Sequence, residues 1–459
     1  MRRWQHVLRR WINLGLTRIG TTRIIAVMFL LIILIGTGLL MTPAAARDGV
    51  SCGFTNALFT ATSATCVTGL VMFDTWSQFS GFGQIVIICL IQVGGLGFMS
   101  MASIFVFLMR GKVSMKQCLL MAQAMSVNDV SGIVRMQQLV LKGSFLIEGT
   151  GALILTLRFW PEHGFLKALK WGVFHSVSAF CNAGFDIMGS DNPGMSLIPY
   201  QNDPVVLLTL GALVILGGLG FFVWEEISRS RSFKKLSVYS KLVLIITAAL
   251  LLGGTASILF LEWSNPATLG AMTVPEKILN ALFQSITVRT AGFVSIDQAS
   301  LTDGGKMVSI LLMLVGGSSG STAGGMKTVT ILVMILFIWA RARGRETVTV
   351  FKKTIPNSQV LDAMTITGIM TGLAIFGGLF VCTTSGFSFL DALYEAASAI
   401  ATVGLSAAGS ANLSFLSKYL MILYMYFGRV GVLTISLGFL MGNRAQERYR
   451  YAETKLLIG

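Results

Sequence analysis

Charge is scarce in this chain. Asp, Glu, Lys and Arg make up 12% of its 459 residues, against roughly 25% in ordinary globular proteins. That leaves too little charge to coat the surface of a soluble protein of this size, and it excludes a soluble enzyme and a disordered chain. There are 8 prolines and 3 histidines, and His6, His163 and His175 are too far apart to suggest a metal site. The 6 cysteines (52, 66, 89, 118, 181 and 382) are scattered in apolar surroundings without a CxxC pair, which excludes a disulfide scaffold. There is no HExxH, no Ser/His/Asp set and no intramembrane Asp pair, so no enzyme is expected. Apolar residues reach 54%, glycines number 50 and mean hydropathy is +0.75. The expected fold class is an all-α polytopic membrane protein.

Eight apolar runs are long enough to span, at 24–41, 83–109, 136–157, 204–224, 242–261, 307–338, 364–383 and 416–441. Arg2, Arg3, Arg9, Arg10, Arg18 and Arg23 precede the first, and Ala44, Ala45 and Ala46 after it mimic a cleavage site. The cationic leader is long, and the run exceeds a signal-peptide core of about 7–15 residues. It is therefore read as an uncleaved first helix. With eight spans and both termini cytoplasmic, the basic residues gather inside. They include Arg110, Lys112 and Lys116, then Arg229, Lys234 and Lys235, then Arg341, Arg343 and Arg345, and finally Arg444, Arg448 and Arg450. This obeys the positive-inside rule, so the net charge of +15 requires no nucleic acid. The outer face is acidic and would mildly concentrate cations.

Four shorter apolar stretches, at 53–64, 165–179, 275–286 and 388–399, lie between the spans and are too short to cross about 30 Å. They align as ALFTATSATCVTGL (57–70), GVFHSVSAFCNAGF (172–185), ALFQSITVRTAGF (281–293) and ALYEAASAIATVGL (392–405). Each has an aromatic residue near its start (Phe59, Phe174, Phe283, Tyr394) and ends in glycine plus a large apolar residue. The third is one residue shorter between its aromatic and its glycine. A second glycine cluster follows on the next span: Gly94-Gly95, Gly217-Gly218, Gly316-Gly317 and Gly428 with Gly431. The chain thus divides into a basic cytoplasmic N-terminus (1–23), repeats at 24–116, 117–235, 236–353 and 354–442, and a cytoplasmic tail (443–459). Each repeat reads span, re-entrant short helix, Gly-ended segment, span. Two spans per unit give all four units one orientation, so they can surround one axis.

A short helix that returns as extended chain leaves carbonyls unpaired at depth, which is tolerated where they line a hydrated path. Four such segments form rings of oxygens able to replace the water shell of a monovalent cation. The segments hold Thr65, Cys66, Val67, Thr68 and Gly69; Cys181, Asn182, Ala183 and Gly184; Thr290, Ala291 and Gly292; and Ala401, Thr402, Val403 and Gly404. Glycine suits them because it accepts φ > 0 and leaves the path open. No carboxylate is required, which argues against a divalent ion. The competing reading is close packing of spans on small residues; four aligned copies favour the ring.

Between Val315 and Met326, the run Gly316, Gly317, Ser318, Ser319, Gly320, Ser321, Thr322, Ala323, Gly324 and Gly325 interrupts a span, and a broken helix with a flexible loop is expected there. GSTAGGMKT (320–328) is nearly a P-loop, but Met326 separates the second glycine from Lys327. A close helix crossing on small residues is the plainer alternative. Arg429 lies deep in the eighth span and should face the bundle interior, either in function or as a tether to backbone carbonyls. Arg289 sits inside the third segment, where it is expected to point backward and pair with Glu395. Glu148 in the third span is read as a helix-packing partner, with a coupling-ion role as the alternative.

The four segments, GGSSGSTAGGMKT (316–328) and FGRVG (427–431) together resemble the membrane subunit of the bacterial Ktr potassium-uptake system, in the Trk/Ktr/HKT superfamily. The resemblance covers nearly the whole chain. It implies a gated, channel-like K⁺ uptake protein of the bacterial plasma membrane, with K⁺ in the filter and Na⁺ activation left open. Glycine at all four filter positions implies potassium selectivity, Gly69 included, where sodium-selective relatives carry serine. It places 316–325 as an intramembrane gate and projects Arg429 into the pore below the filter. It also implies a homodimer on a cytosolic ring of nucleotide-binding subunits that senses ATP and ADP. The basic loops 229–241 and 341–353 would dock that ring, or only set topology and meet anionic lipid. A carrier coupling solute to Na⁺ or H⁺ is the alternative function.

Overall fold

The protein is described by a computed structural model covering residues 21–97, 133–191, 193–230 and 232–431. Repeat one holds α1 (Thr21–Leu40), α2 (Phe54–Thr65) and α3 (Gly81–Leu96). Repeat two holds α4 (Ile133–His163), α5 (Phe165–Phe180), α6 (Pro204–Leu219) and α7 (Phe221–Ser230). Repeat three holds α8 (Val238–Glu262), α9 (Val274–Thr287), α10 (Asp303–Leu314) and α11 (Thr328–Ala342). A two-stranded hairpin, β1 (Thr349–Val350) with β2 (Lys353–Thr354), leads into repeat four. That repeat holds α12 (Asn357–Ser385), α13 (Phe389–Ile400) and α14 (Phe415–Val430).

The four short stretches are helices α2, α5, α9 and α13, within about two residues of the expected bounds. The longest has 16 residues, about 24 Å at ~1.5 Å per residue, short of a bilayer core. Local signals start each one. Gly53 (φ 80°) and Gly164 (φ 75°) turn the chain sharply ahead of α2 and α5. Glu276 accepts the Thr273 N–H at 2.8 Å ahead of α9, and Ser388 accepts the Asp391 N–H at 3.2 Å at the start of α13. Each short helix packs against the long helix before it: α2 on α1, α5 on α4, α9 on α8 and α13 on α12. The repeat aromatics Phe59, Phe174, Phe283 and Tyr394 are all buried. Leu146, Leu166, Leu252 and Phe260 point outward from the bundle at 70–85% exposure, as side chains facing lipid tails do.

Among the described residues, Gln137–His163, Val238–Glu262 and Asn357–Ser385 are each long and apolar enough to cross a membrane. The expected spans depart from the structure after the filters. The run 204–224 is not one helix: α6 ends at Gly220 (φ 91°), and α7 leaves at 94° to it. α3 and α14 end in the same way, at Gly97 (φ 83°) and Gly431 (φ 95°). An L side chain is strained in that conformation, so glycine stops the helix. The remainders of the second and eighth expected spans, 98–109 and 432–441, lie outside the described residues. So do the basic residues at 110–116 and 444–455 and the N-terminal arginines up to Arg18.

Candidate cation pathway

The chain after each short helix follows one repeated course. Two residues before each filter glycine stands a non-glycine residue with positive φ: Val67 (56°), Asn182 (61°), Thr290 (72°) and Thr402 (53°). The glycines are left-handed too, at 97° for Gly69, 67° for Gly184, 82° for Gly292 and 91° for Gly404. The residues between them, Thr68, Ala183, Ala291 and Val403, are not. Alternating hands turn successive carbonyls toward one side of the strand. Left-handed backbone costs an L residue roughly 1–3 kcal/mol, so four such residues at equivalent places mark a geometry held by its surroundings.

The four segments close on one another in a ring. A Cβ placed on Gly69 would lie 2.5 Å from the Ala183 carbonyl oxygen, one on Gly184 2.7 Å from that of Ala291, and one on Gly292 2.7 Å from that of Val403. A Cβ on Gly404 would collide with the carbonyl of Thr68. The sequence one to two, two to three, three to four and four to one encloses a single axis. Side chains four residues after the repeat aromatics hold each strand. Ser63 accepts the Gly69 N–H at 3.1 Å, and Ser398 accepts that of Gly404 at 3.1 Å. Ser178 and Thr287 donate to the carbonyls of Phe185 and Phe293, each at 2.7 Å. Backbone bonds from Thr68, Ala183, Ala291 and Val403 to the carbonyls of these same residues, at 2.7–2.9 Å, complete each cradle. The second glycine cluster gives room: a Cβ on Gly94, Gly217 or Gly428 would strike the carbonyl of Thr65, Phe180 or Ile400 at the end of a short helix.

In repeat three the helix stops at Leu314 and resumes at Thr328. The intervening loop is bonded on several sides, and the expected break in the helix is there. Ser318 and Thr322 donate their N–H groups to Gly218 and Gly217 at 3.0 and 3.2 Å, and Gly320 accepts from Phe221 at 2.9 Å. The Thr322 hydroxyl donates to Phe180 O at 3.1 Å. Gly324 and Gly325 lie against Thr402 and Ala401, so the loop occupies the end of the ring that adjoins the short helices. Arg429, from α14, donates to Thr322 O in the loop and to Gly94 O and Gly95 O in repeat one. One guanidinium therefore ties three repeats together beside the ring.

Comparison with known proteins places this geometry in a family. Residues 17–448 match the TrkH family model, described as a cation transport protein. The chain belongs to the TrkH family. The potassium/sodium uptake protein NtpJ of Enterococcus hirae is 36% identical over 449 residues, covering 96% of this chain and 98% of its own. The Ktr system potassium uptake protein B of Bacillus subtilis is 37% identical, covering 96% and 97%. In fold the chain is similar to the potassium transporter TrkH of Vibrio parahaemolyticus, with a TM-score of 0.65, 18% identity and coverage of 89% and 84%. Family and apolar helices together make this a multi-pass membrane protein.

In this TrkH-family chain, Arg289 and Glu395 do not pair, contrary to expectation. Arg289 is buried, and its only hydrogen-bond acceptor among the described residues is Gly316 O at 3.5 Å, the first residue of the glycine run. Glu395 turns into its own repeat, where it accepts from Ser406, from the Ala408 N–H at 3.3 Å and from Ser410 at 3.1 Å. The loop after the fourth filter supplies enough donors to satisfy the carboxylate without a cation. Glu148 packs as expected, against Gln92. The sequence reading missed the serine and threonine cradle, although each aligned repeat carries a hydroxyl residue four after its aromatic. The left-handed residues carried no such signal.

Proposed function

We propose that this chain is a gated, channel-like potassium uptake protein of the plasma membrane, with both termini cytoplasmic and eight spans in four repeats. The observation that carries the reading is the closed ring, in which each filter glycine meets the carbonyl of the next repeat. Carbonyls from Thr68, Ala183, Ala291 and Val403 would take the place of the K⁺ hydration shell as the ion passes. The short helices aim their C-terminal ends at the same axis and add negative potential below the ring. Two 36–37% identical relatives, one a potassium/sodium and one a potassium uptake protein, support the choice of ion.

The loop 315–327 is the gate in this reading. It fills the inner end of the ring, and Arg429 latches it by the Thr322 carbonyl. Opening requires those bonds to break, which also moves a fixed positive charge off the ion's route. The protein acts as a homodimer on a cytosolic ATP- and ADP-sensing ring, which meets the basic segments 229–241 and 341–353. Phe351 and Lys352 at the tip of the hairpin have positive φ, and Phe351 is 51% exposed. A carrier built on inverted repeats would bind its solute at a midplane break; the one-way order around the axis favours a pore. The test is tracer potassium uptake by cells lacking their own uptake systems, with sodium and ATP varied. Uptake that depends on this protein supports the reading, and none from protein present in the membrane refutes it.

A further inference from the structure

One buried carboxylate has no part in the ring or the gate. Glu148, on α4, is 4% exposed, and no Lys, Arg or His pairs with it among the described residues. Both its oxygens lie 3.0 Å from Nε2 of Gln92 on α3. On its other side Gln92 accepts the thiol proton of Cys181, with Sγ 3.5 Å from Oε1. Cys181 stands three residues before the filter glycine Gly184 and is fully buried. The Gln92 amide thus faces the Glu148 carboxyl with its NH₂ and the Cys181 thiol with its carbonyl. One amide therefore joins Glu148 to the second filter segment.

The surroundings leave Cys181 little freedom. A Cβ on Gly95 would lie 2.5 Å from its sulfur, so the last turn of α3 presses on it directly. That same turn gives the carbonyls of Gly94 and Gly95 to Arg429. Ser176 on α5 donates to the backbone carbonyl of Glu148 at 2.6 Å, locking α4 to the short helix that carries the filter. The equivalent positions in the other repeats hold Cys66, Arg289 and Ala401. An ion that fits loosely is rejected only if the ring resists contraction, so a strut behind one strand bears on selection rather than on passage alone.

We infer that Glu148 is a positioning residue for ion selection, acting through Gln92 and Cys181 on the second filter segment. The inference rests on the filter reading above. It is tested by potassium uptake with sodium as competitor, reading apparent KM, maximal rate and membrane abundance for Glu148→Gln, for the swapped pair Gln92→Glu with Glu148→Gln, and for Gly184→Ser. Glu148→Gln keeps the volume and replaces the carboxyl that faces the Gln92 amide. It should lower discrimination against sodium by about threefold or more, the worth of one hydrogen bond, without loss of abundance. The swapped pair restores a carboxylate–amide bond that still receives the thiol and should recover the original discrimination. Unchanged discrimination in Glu148→Gln, with discrimination lost in Gly184→Ser, overturns the positioning role and leaves the filter standing. Unchanged discrimination in both removes the filter and this inference with it. If Glu148→Gln fails to reach the membrane, the swapped pair decides: original discrimination supports the role, and a stable pair with altered discrimination overturns it.

Discussion

At Gly69 a hydroxymethyl group has nowhere to go. Its Cβ would sit 2.5 Å from the Ala183 carbonyl oxygen, on backbone with φ 97°. Gly69→Ser should therefore open the ring and admit sodium, measured as sodium inhibition of potassium uptake; equal inhibition before and after would contradict the filter role. Ser63→Ala removes the acceptor of the Gly69 N–H. It should cost about 1 kcal/mol of local stability and shift discrimination the same way by a smaller factor. A third residue sits just past the ring. Burial, with the neighbouring Asp74 adding to it, pushes the Asp186 carboxyl up to about 6. Above that pH the group is ionised, two residues past Gly184; below it the charge is gone. Uptake at limiting potassium should fall as external pH drops through about 6, and Asp186→Asn should remove that step from the pH profile.

Among the elements, the short helices were legible and the strands after them were not. Length, an aromatic near the start and a closing glycine bounded α2, α5, α9 and α13. The left-handed turns at Val67, Asn182, Thr290 and Thr402 were hidden, because three of the four are β-branched residues that locally favour extended chain. Short-range bonds between Ser63, Ser178, Thr287 and Ser398 and the chain four to seven residues on hold them in place. The break at 316–325 was visible from glycine density, whereas its compactness depends on partners in repeats two and four that are distant in sequence. The Arg289–Glu395 pair failed for a related reason: opposite charge suggested a partner, but nearby hydroxyls and an N–H satisfied Glu395 first. Shortening the 316–325 loop should raise basal potassium flux if the loop is the gate proposed above. Arg429→Ala should raise flux as well, having cut the bonds to Thr322, Gly94 and Gly95. A folded protein with unaltered flux in either case would assign the loop and the arginine to packing alone.

On the scale of the whole molecule, the fourfold repeat was readable because one sequence pattern recurs at near-constant spacing. The order of the repeats around the axis was not, since nothing in a single copy says which neighbour it meets. Each Gly-to-carbonyl contact supplies that order, and it makes the ring depend equally on all four copies. The same closure gathers the proposed path at one place, with a bonded loop against Ala401 and Thr402 and Asp186 two residues past Gly184. The most direct measurement is anomalous diffraction from crystals of the protein grown with rubidium or thallium in place of potassium. A peak on the axis between the carbonyls of Thr68, Ala183, Ala291 and Val403 is the predicted result. Bound ions found only elsewhere in the molecule, with the ring intact and empty, would contradict the account.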